Sequence, residues 1–133
     1  MDRRQLREEL ALKHRILMLD GKVTDEVVDE LKFLSLALVD RSLETIRLVI
    51  SSMGGNVMAA FIFYDFIRTF EIDYTGIVNG HCGSAAIPMM LGCKKRLATR
   101  RSQFYIHNIR RDLSLVFDRD EKDLRRKMEV DLL

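Results

Sequence analysis

Two short breaks in the 133-residue chain carry residues whose types and spacing suit chemistry: Met53-Gly54-Gly55-Asn56, and Asn79-Gly80-His81-Cys82-Gly83 followed by Ser84. A Gly-Gly turn lets backbone N–H groups point into a cavity with no side chain in the way. The start of a following helix adds unpaired N–H groups and the positive end of a dipole. Such a turn suits a phosphate, the oxyanion of an acyl-transfer intermediate, or nothing more than a join between strand and helix. The chain has no G-x-x-x-x-G-K-[ST] and no G-x-G-x-x-G, so the phosphate reading lacks its motif. Ser84, directly after Gly83 and at an expected helix start, is placed either as an N-cap or as a nucleophile with oxyanion donors beside it. It is not a G-x-S-x-G elbow, because Cys82 and Ala86 stand where glycines are needed.

A serine nucleophile needs a base, and His107, closing an expected strand, is the candidate. Seven serines and three histidines allow 21 pairings, so the pair is not singled out by residue type alone. His14, in Lys13-His14-Arg15, reads as an exposed residue; His81, just before Ser84, is placed to meet either substrate or solvent. Cys82 and Cys93 read as small packing residues. Two cysteines make no disulfide framework and have no metal-ligand spacing, so neither a metal nor a cofactor is expected.

These residues need a scaffold. Residues 4–13 read as a charged helix with Leu6, Leu10 and Ala11 on its packed side. Arg15–Leu19 reads as a strand closed by Asp20-Gly21. Thr24 offers a cap to a helix in which Val27, Val28, Leu31, Leu34 and Leu38 recur at helical spacing through Val39. The rhythm continues with a strand at Thr45–Ile50, a helix at Val57–Phe70, a strand at Tyr74–Val78 and a turn at Asn79–Gly83. A helix at Ser84–Leu91, a short strand at Phe104–His107 and a helix from Asp118 complete the pattern. Strands alternating with helices predict parallel βαβ units and a sheet covered by helices. Sites in such folds gather where strand ends meet helix starts, and both glycine breaks lie at such junctions.

Composition narrows the classes further. Hydrophobic residues make up 47% and charged residues 32%, with one proline and seven glycines, which suits a globular domain and not a disordered chain. The longest apolar stretches, Val57–Tyr64 and Ala85–Cys93, are too short to span a bilayer, and the charged start has no signal-peptide core. A cytoplasmic location and no membrane partner are expected. The formal charge is +2, yet no acidic residue falls between Asp73 and Asp112, a span holding Lys94, Lys95, Arg96, Arg100, Arg101, Arg110 and Arg111. No aromatic residue alternates with these bases as a stacking platform would require. They therefore read as a solvated rim balanced by acids such as Glu26, Asp29 and Glu30, and no nucleic-acid partner is expected.

Along most of its length the chain resembles the proteolytic subunit family of the ATP-dependent Clp protease, the caseinolytic serine peptidases. The resemblance is carried by Arg15–Gly21, Ser52-Met-Gly-Gly-Asn-Val57, Ile62–Ile67, Gly80-His-Cys-Gly-Ser-Ala85 and Tyr105-Ile-His-Asn108. These occur in the family's order, with gap-free intervals from Gly21 to Gly54 and from Gly55 to Ser84 and a slightly shortened loop around Lys94–Arg96. The resemblance implies an α/β, crotonase-like spiral of βαβ units and a serine peptidase acting on unfolded polypeptides through an acyl-enzyme. Ser84 takes the nucleophile position, His107 the base position, and Gly55 and Ala85 the positions whose N–H groups form the oxyanion hole. Near residues 54–57 and 109–116 the family binds extended peptide. It assembles as stacked seven-membered rings docking an ATP-driven unfoldase, and the apolar run Leu113, Leu115, Val116 and Phe117 suits self-association.

The chain also departs from the pattern. Ser52-Met53-Gly54-Gly55 lacks the proline of the family's Ser-Pro-Gly-Gly, and His81 and Gly83 replace the usual Gln and Ala. Asp112, Asp118, Asp120, Asp123 and Asp131 follow His107, but none matches the triad aspartate, whose loss costs about 10⁴ in rate. Residues 1–133 are therefore expected to be one Clp-like domain lacking the family's C-terminal part, its third triad acid unassigned. Two alternatives stand beside the peptidase: a catalytically idle ring or scaffold subunit of the same fold, and a crotonase-type acyl-CoA enzyme. The latter would use the paired N–H groups without a serine nucleophile.

Overall fold

The computed structural model describes residues 1–106 and the backbone of 131–132. Helix α1 (Arg3–His14) opens with a capping box: the Gln5 N–H donates to the Asp2 carboxylate, and the Asp2 N–H donates back to the Gln5 side chain. Only Ala11 of this helix is buried; Leu6 and Leu10, expected on its packed side, remain exposed. Strand β1 (Ile16–Asp20) follows after Arg15, which takes a left-handed conformation with φ 56°. Thr24 caps helix α2 (Asp25–Arg41) by accepting the Val27 N–H at 3.1 Å, and Asp25 and Glu26 sit at the positive end of its dipole.

The rest of the order is strand β2 (Ile46–Ser52), helix α3 (Val57–Thr69), strand β3 (Tyr74–Gly83), the short helix α4 (Ala86–Leu91), and strands β4 (Lys95–Ala98), β5 (Gln103–Tyr105) and β6 (Asp131–Leu132). Pairing is parallel throughout, in the order β1-β2-β3-β4-β6, with β5 on the distal half of β3. Alternation along the strands makes one face of the sheet apolar: Leu17 and Leu19 on β1, and Ile46, Leu48 and Ile50 on β2, are all buried. Val28, Leu31 and Leu38 of α2, Ala59, Ala60, Phe63 and Ile67 of α3, and Ala86, Ile87, Met89, Met90 and Leu91 of α4 share the same core. The expected parallel βαβ organisation is present.

Two expectations are corrected. Asn79–Gly83 is not a turn but the second half of β3, as argued below. A helix was expected from Asp118 to the end, but Asp131 and Leu132 pair with Leu97 and Ala98 of β4. The open edge of β4 offers unpaired backbone groups, and pairing with them outweighs the helical spacing of Leu132. The rest of that expected helix, with Leu124 and Met128, lies outside the described residues, as does the apolar run of Leu113, Leu115, Val116 and Phe117 read for self-association. Strand β4 was not anticipated, because Lys94-Lys95-Arg96 masks it as a charged loop. No helix among the described residues is long and apolar enough to cross a membrane.

Candidate active site

Strand β2 ends at Ser52, which is buried and pairs with Cys82 of β3. Beyond it the chain turns through Met53, Gly54 and Gly55, with φ of 112° and 153° at the glycines, values suited to residues without a Cβ. Gly55 forms a parallel bridge with Val23: the Val23 N–H donates to the Gly54 carbonyl at 3.0 Å, and the Asn56 N–H donates to the Val23 carbonyl at 2.8 Å. A Cβ at Gly55 would lie 2.4 Å from the Val23 oxygen, so only glycine fits. In a trans peptide the C=O and N–H point in opposite directions. With the Gly54 carbonyl held by Val23, the Gly55 N–H must face away from Val23, and it makes no hydrogen bond among the described residues. Asn56 then caps α3 by accepting the Ala59 N–H at 3.0 Å.

The second junction is built differently from its sequence reading. Ile50 pairs with Val78, yet Ser52 pairs with Cys82, so β3 carries a bulge with two extra residues and Gly80 at φ 110°. The backbone groups that a turn would satisfy are met by the hydroxyl of Ser102. It accepts the Gly80 N–H at 3.1 Å, donates to the Val78 carbonyl at 3.0 Å and touches the Thr99 hydroxyl at 2.7 Å. The strand therefore continues to Gly83 instead of stopping at Val78.

Ser84 follows in a left-handed conformation, φ 49°. For a serine this costs on the order of 1–2 kcal/mol, and it turns the chain sharply from strand to helix. Its N–H donates to the Tyr105 carbonyl at 2.9 Å, tying the junction to β5. The N-cap of α4 is Ala85, with no side-chain cap, so the Ser84 hydroxyl is not spent on capping. Ser84 is half-buried, and its hydroxyl makes no hydrogen bond among the described residues.

The two junctions meet at Gly54. A Cβ there would stand 2.8 Å from the Ser84 Cβ, 2.9 Å from the Gly83 oxygen and 3.0 Å from the Ala85 nitrogen. The Gly-Gly turn is thus packed directly against Ser84 and the Ala85 N–H, which also makes no hydrogen bond among the described residues. The first turn supplies one backbone donor and the second supplies a donor and a hydroxyl, the groups that acyl transfer needs.

Of the other candidates, His81 is exposed and its ring lies 5.9 Å from that of Tyr105. Cys82 and Cys93 are buried, and burial pushes each thiol up to about 12, so neither is a thiolate nucleophile. No three of His, Cys, Asp or Glu stand together as a metal site among the described residues. His107, Arg110, Arg111, Asp112, Asp118, Asp120 and Asp123 lie outside the described residues, and Asp131 is placed by backbone only. Glu26 and Asp29 line a shallow groove with Ala59 and Ile62, and no ion pair joins them to the basic stretch among the described residues. Sequence reading singled out the Gly54-Gly55 turn but overlooked Ser52 and Val23 as site-builders. A serine two residues before a glycine is the one local signal that pointed to any of them.

Comparison with known proteins agrees with this architecture. The family model of the Clp protease matches residues 3–129. The ATP-dependent Clp protease proteolytic subunit of Ligilactobacillus salivarius (strain UCC118) is 34% identical over 102 residues, covering 72% of the chain and 50% of that protein. The subunit of the same name from Cyanophora paradoxa is 33% identical over 99 residues, covering 72% and 51%. The chain thus spans about half the length of the curated relatives it matches. In structure, the ClpP protease catalytic domain from Plasmodium falciparum has a TM-score of 0.77 at 22% identity, covering 96% of this chain and 71% of that one. ClpP1 from Listeria monocytogenes has 0.72 at 22% identity, covering 89% and 68%. The parallel sheet, the junction between Gly54 and Ser84 and a family match over nearly the whole length lead to one assignment: the chain belongs to the Clp protease family.

Proposed function

We infer that the chain is a Clp-type serine peptidase subunit that cleaves peptide bonds in unfolded polypeptides through an acyl-enzyme at Ser84. The observation carrying this reading is the left-handed Ser84, its hydroxyl left out of helix capping and its Cβ pressed against the Gly-Gly turn. In the proposed reaction the Ser84 Oγ attacks the scissile carbonyl carbon and its proton passes to His107. The N–H groups of Gly55 and Ala85 hold the oxygen that becomes negative. Collapse breaks the C–N bond, with His107 returning the proton to the leaving amine. Water, deprotonated by His107, then attacks the ester and releases the acid, and the proton goes back to Ser84. No cofactor or metal enters these steps.

The names of the relatives, which describe proteolytic subunits of an ATP-dependent protease, support two further parts of the reading. Residues 1–133 act as one Clp-like unit within a homo-oligomeric ring, and an ATP-driven unfoldase supplies the polypeptide. Labelling with a fluorophosphonate tests the core claim. Wild type should be labelled on Ser84, Ser84→Ala should not, and His107→Ala should be labelled far more slowly. Equal labelling of wild type and Ser84→Ala would refute the nucleophile. Absence of labelling in a folded wild type would favour an idle ring subunit.

A further inference from the structure

We propose that Ser52 is a positioning residue for the oxyanion hole, a role that rests on the peptidase reading above. The turn that delivers the Gly55 N–H consists of two glycines at positive φ, preceded by Met53. Neither glycine restricts its own backbone, and methionine leaves φ free where proline would fix it. Something else must hold the peptide planes. The 54–55 plane is fixed by the Val23 N–H on the Gly54 carbonyl. The preceding 53–54 plane is fixed by Ser52, whose Oγ accepts the Gly54 N–H at 3.1 Å.

Ser52 is suited to this task. It is 2% exposed and one of the two buried polar residues of the described chain, so its hydroxyl does not exchange the glycine for water. It is also the last residue of β2, locked by pairing with Cys82 two residues before the nucleophile. With the Gly54 N–H turned towards Ser52, the Met53 carbonyl must point the opposite way. It does, standing 3.2 Å from where a Cβ on Gly83 would be. The hydroxyl therefore sets the turn against the strand that carries Ser84. Its loss would leave a buried N–H unpaired, and the turn would rotate to find a partner. The Gly55 donor moves with it.

The test compares Ser52→Ala, Ser52→Cys and Ser52→Thr in the full chain, measuring fluorophosphonate labelling of Ser84 against probe concentration. Threonine keeps the acceptor; cysteine keeps nearly the volume with a much weaker one, guarding against a collapsed alanine variant. The maximal labelling rate should fall roughly 10- to 100-fold in the Ala and Cys variants, somewhat less than removal of a whole oxyanion donor. The half-saturating probe concentration should stay unchanged, and Thr should restore the rate to within about 3-fold, an order-of-magnitude margin for one retained hydrogen bond. A purely structural role would instead lower the thermal midpoint and the labelled fraction with the maximal rate intact. That outcome, or equal rates in wild type and both deficient variants, would overturn the positioning role while leaving the peptidase reading in place. A folded wild type that is not labelled at all would overturn both.

Discussion

Gly54 and Ser84 are packed so closely that a methyl group on the glycine would stand 2.8 Å from the Cβ of the serine. Gly54→Ala should therefore displace the candidate nucleophile while leaving its hydroxyl intact. Gly55→Ala should break the bridge to Val23, whose oxygen would lie 2.4 Å from the new carbon. Both variants are expected to lose roughly 10²–10³ in turnover, the scale of one misplaced oxyanion donor. Gly21→Ala is the control: φ there is also positive, at 96°, but nothing lies within 4 Å. It should cost on the order of 1 kcal/mol in stability from backbone strain and little activity. Peptidase assays beside thermal melts of all three would separate crowding at the site from left-handed strain in general. Full turnover in a folded Gly54→Ala protein would contradict the close packing.

The bulge in β3 offers an independent lever. Three polar groups converge on the Ser102 hydroxyl, those of Gly80, Val78 and Thr99. Ser102→Ala should lower stability by about 1 kcal/mol, the usual scale of a lost hydrogen bond, since it leaves the part-buried Gly80 N–H unpaired while the Val78 carbonyl keeps the Thr99 N–H. Because the bulge sets how far β3 runs before Ser84, labelling of that serine should slow as well. A chemical-denaturation curve and a labelling time course would check the pair. Loss of stability without slower labelling would show that the bulge supports the sheet but not the site.

How legible was this in the sequence? The three larger helices and the first two strands were, because Thr24, Asn56 and the apolar spacing of α2 act locally. The register of the site was not. Nothing local distinguishes a turn at Asn79–Gly83 from a bulged strand, since the deciding partner, Ser102, comes 22 residues after Gly80. Strand β4 was hidden for a related reason: Lys95 and Arg96 sit at a sheet position whose neighbours, Thr75 and Gly76, are distant in sequence. Ser84 stands out as a candidate in the sequence, but its left-handed backbone does not, because serine carries no propensity for it. The conformation is imposed by β5 through the Tyr105 carbonyl and by the Gly-Gly turn.

Arg15 supports the scaffold at the opposite end of the sheet. Its guanidinium donates to the carbonyls of Leu38 at 2.9 Å, Ser42 at 3.0 Å and Glu44 at 2.6 Å, closing the C-terminal end of α2. A lysine has the charge but a single ammonium, which cannot span three carbonyls with the same geometry. Arg15→Ala should cost about 2–3 kcal/mol, on the scale of hydrogen bonds to charged groups, and Arg15→Lys should recover less than half of that. Urea titrations of the three proteins would decide it. Equal stability of the Lys variant and wild type would show that charge, not the fork, is what α2 requires.

The buried thiols and Tyr74 predict how stability responds to alkali. Burial pushes Cys82 and Cys93 up to about 12, and it drives the Tyr74 phenol, hydrogen-bonded to Ser35, well above its usual range. In the unfolded chain all three ionise near their ordinary values, about 9 for the thiols and 10 for the phenol. Between those values and the raised ones the folded protein keeps protons that the unfolded chain has released. The unfolded state then binds fewer protons, so stability must fall as pH rises. The stability these groups contribute is complete below pH 9 and is lost through the window up to about 12, at roughly 1 kcal/mol per pH unit for each thiol. Urea melts at pH 8, 9 and 10 should show the decline, and Cys93→Ala should make it shallower. At pH 8 a disulfide reagent should find neither thiol in the folded protein and both after denaturation. Rapid reaction of Cys82 in the native state would mean that the strand beneath Ser84 opens far more readily than its burial implies, and the rigid junction on which the proposed chemistry depends would have to be abandoned.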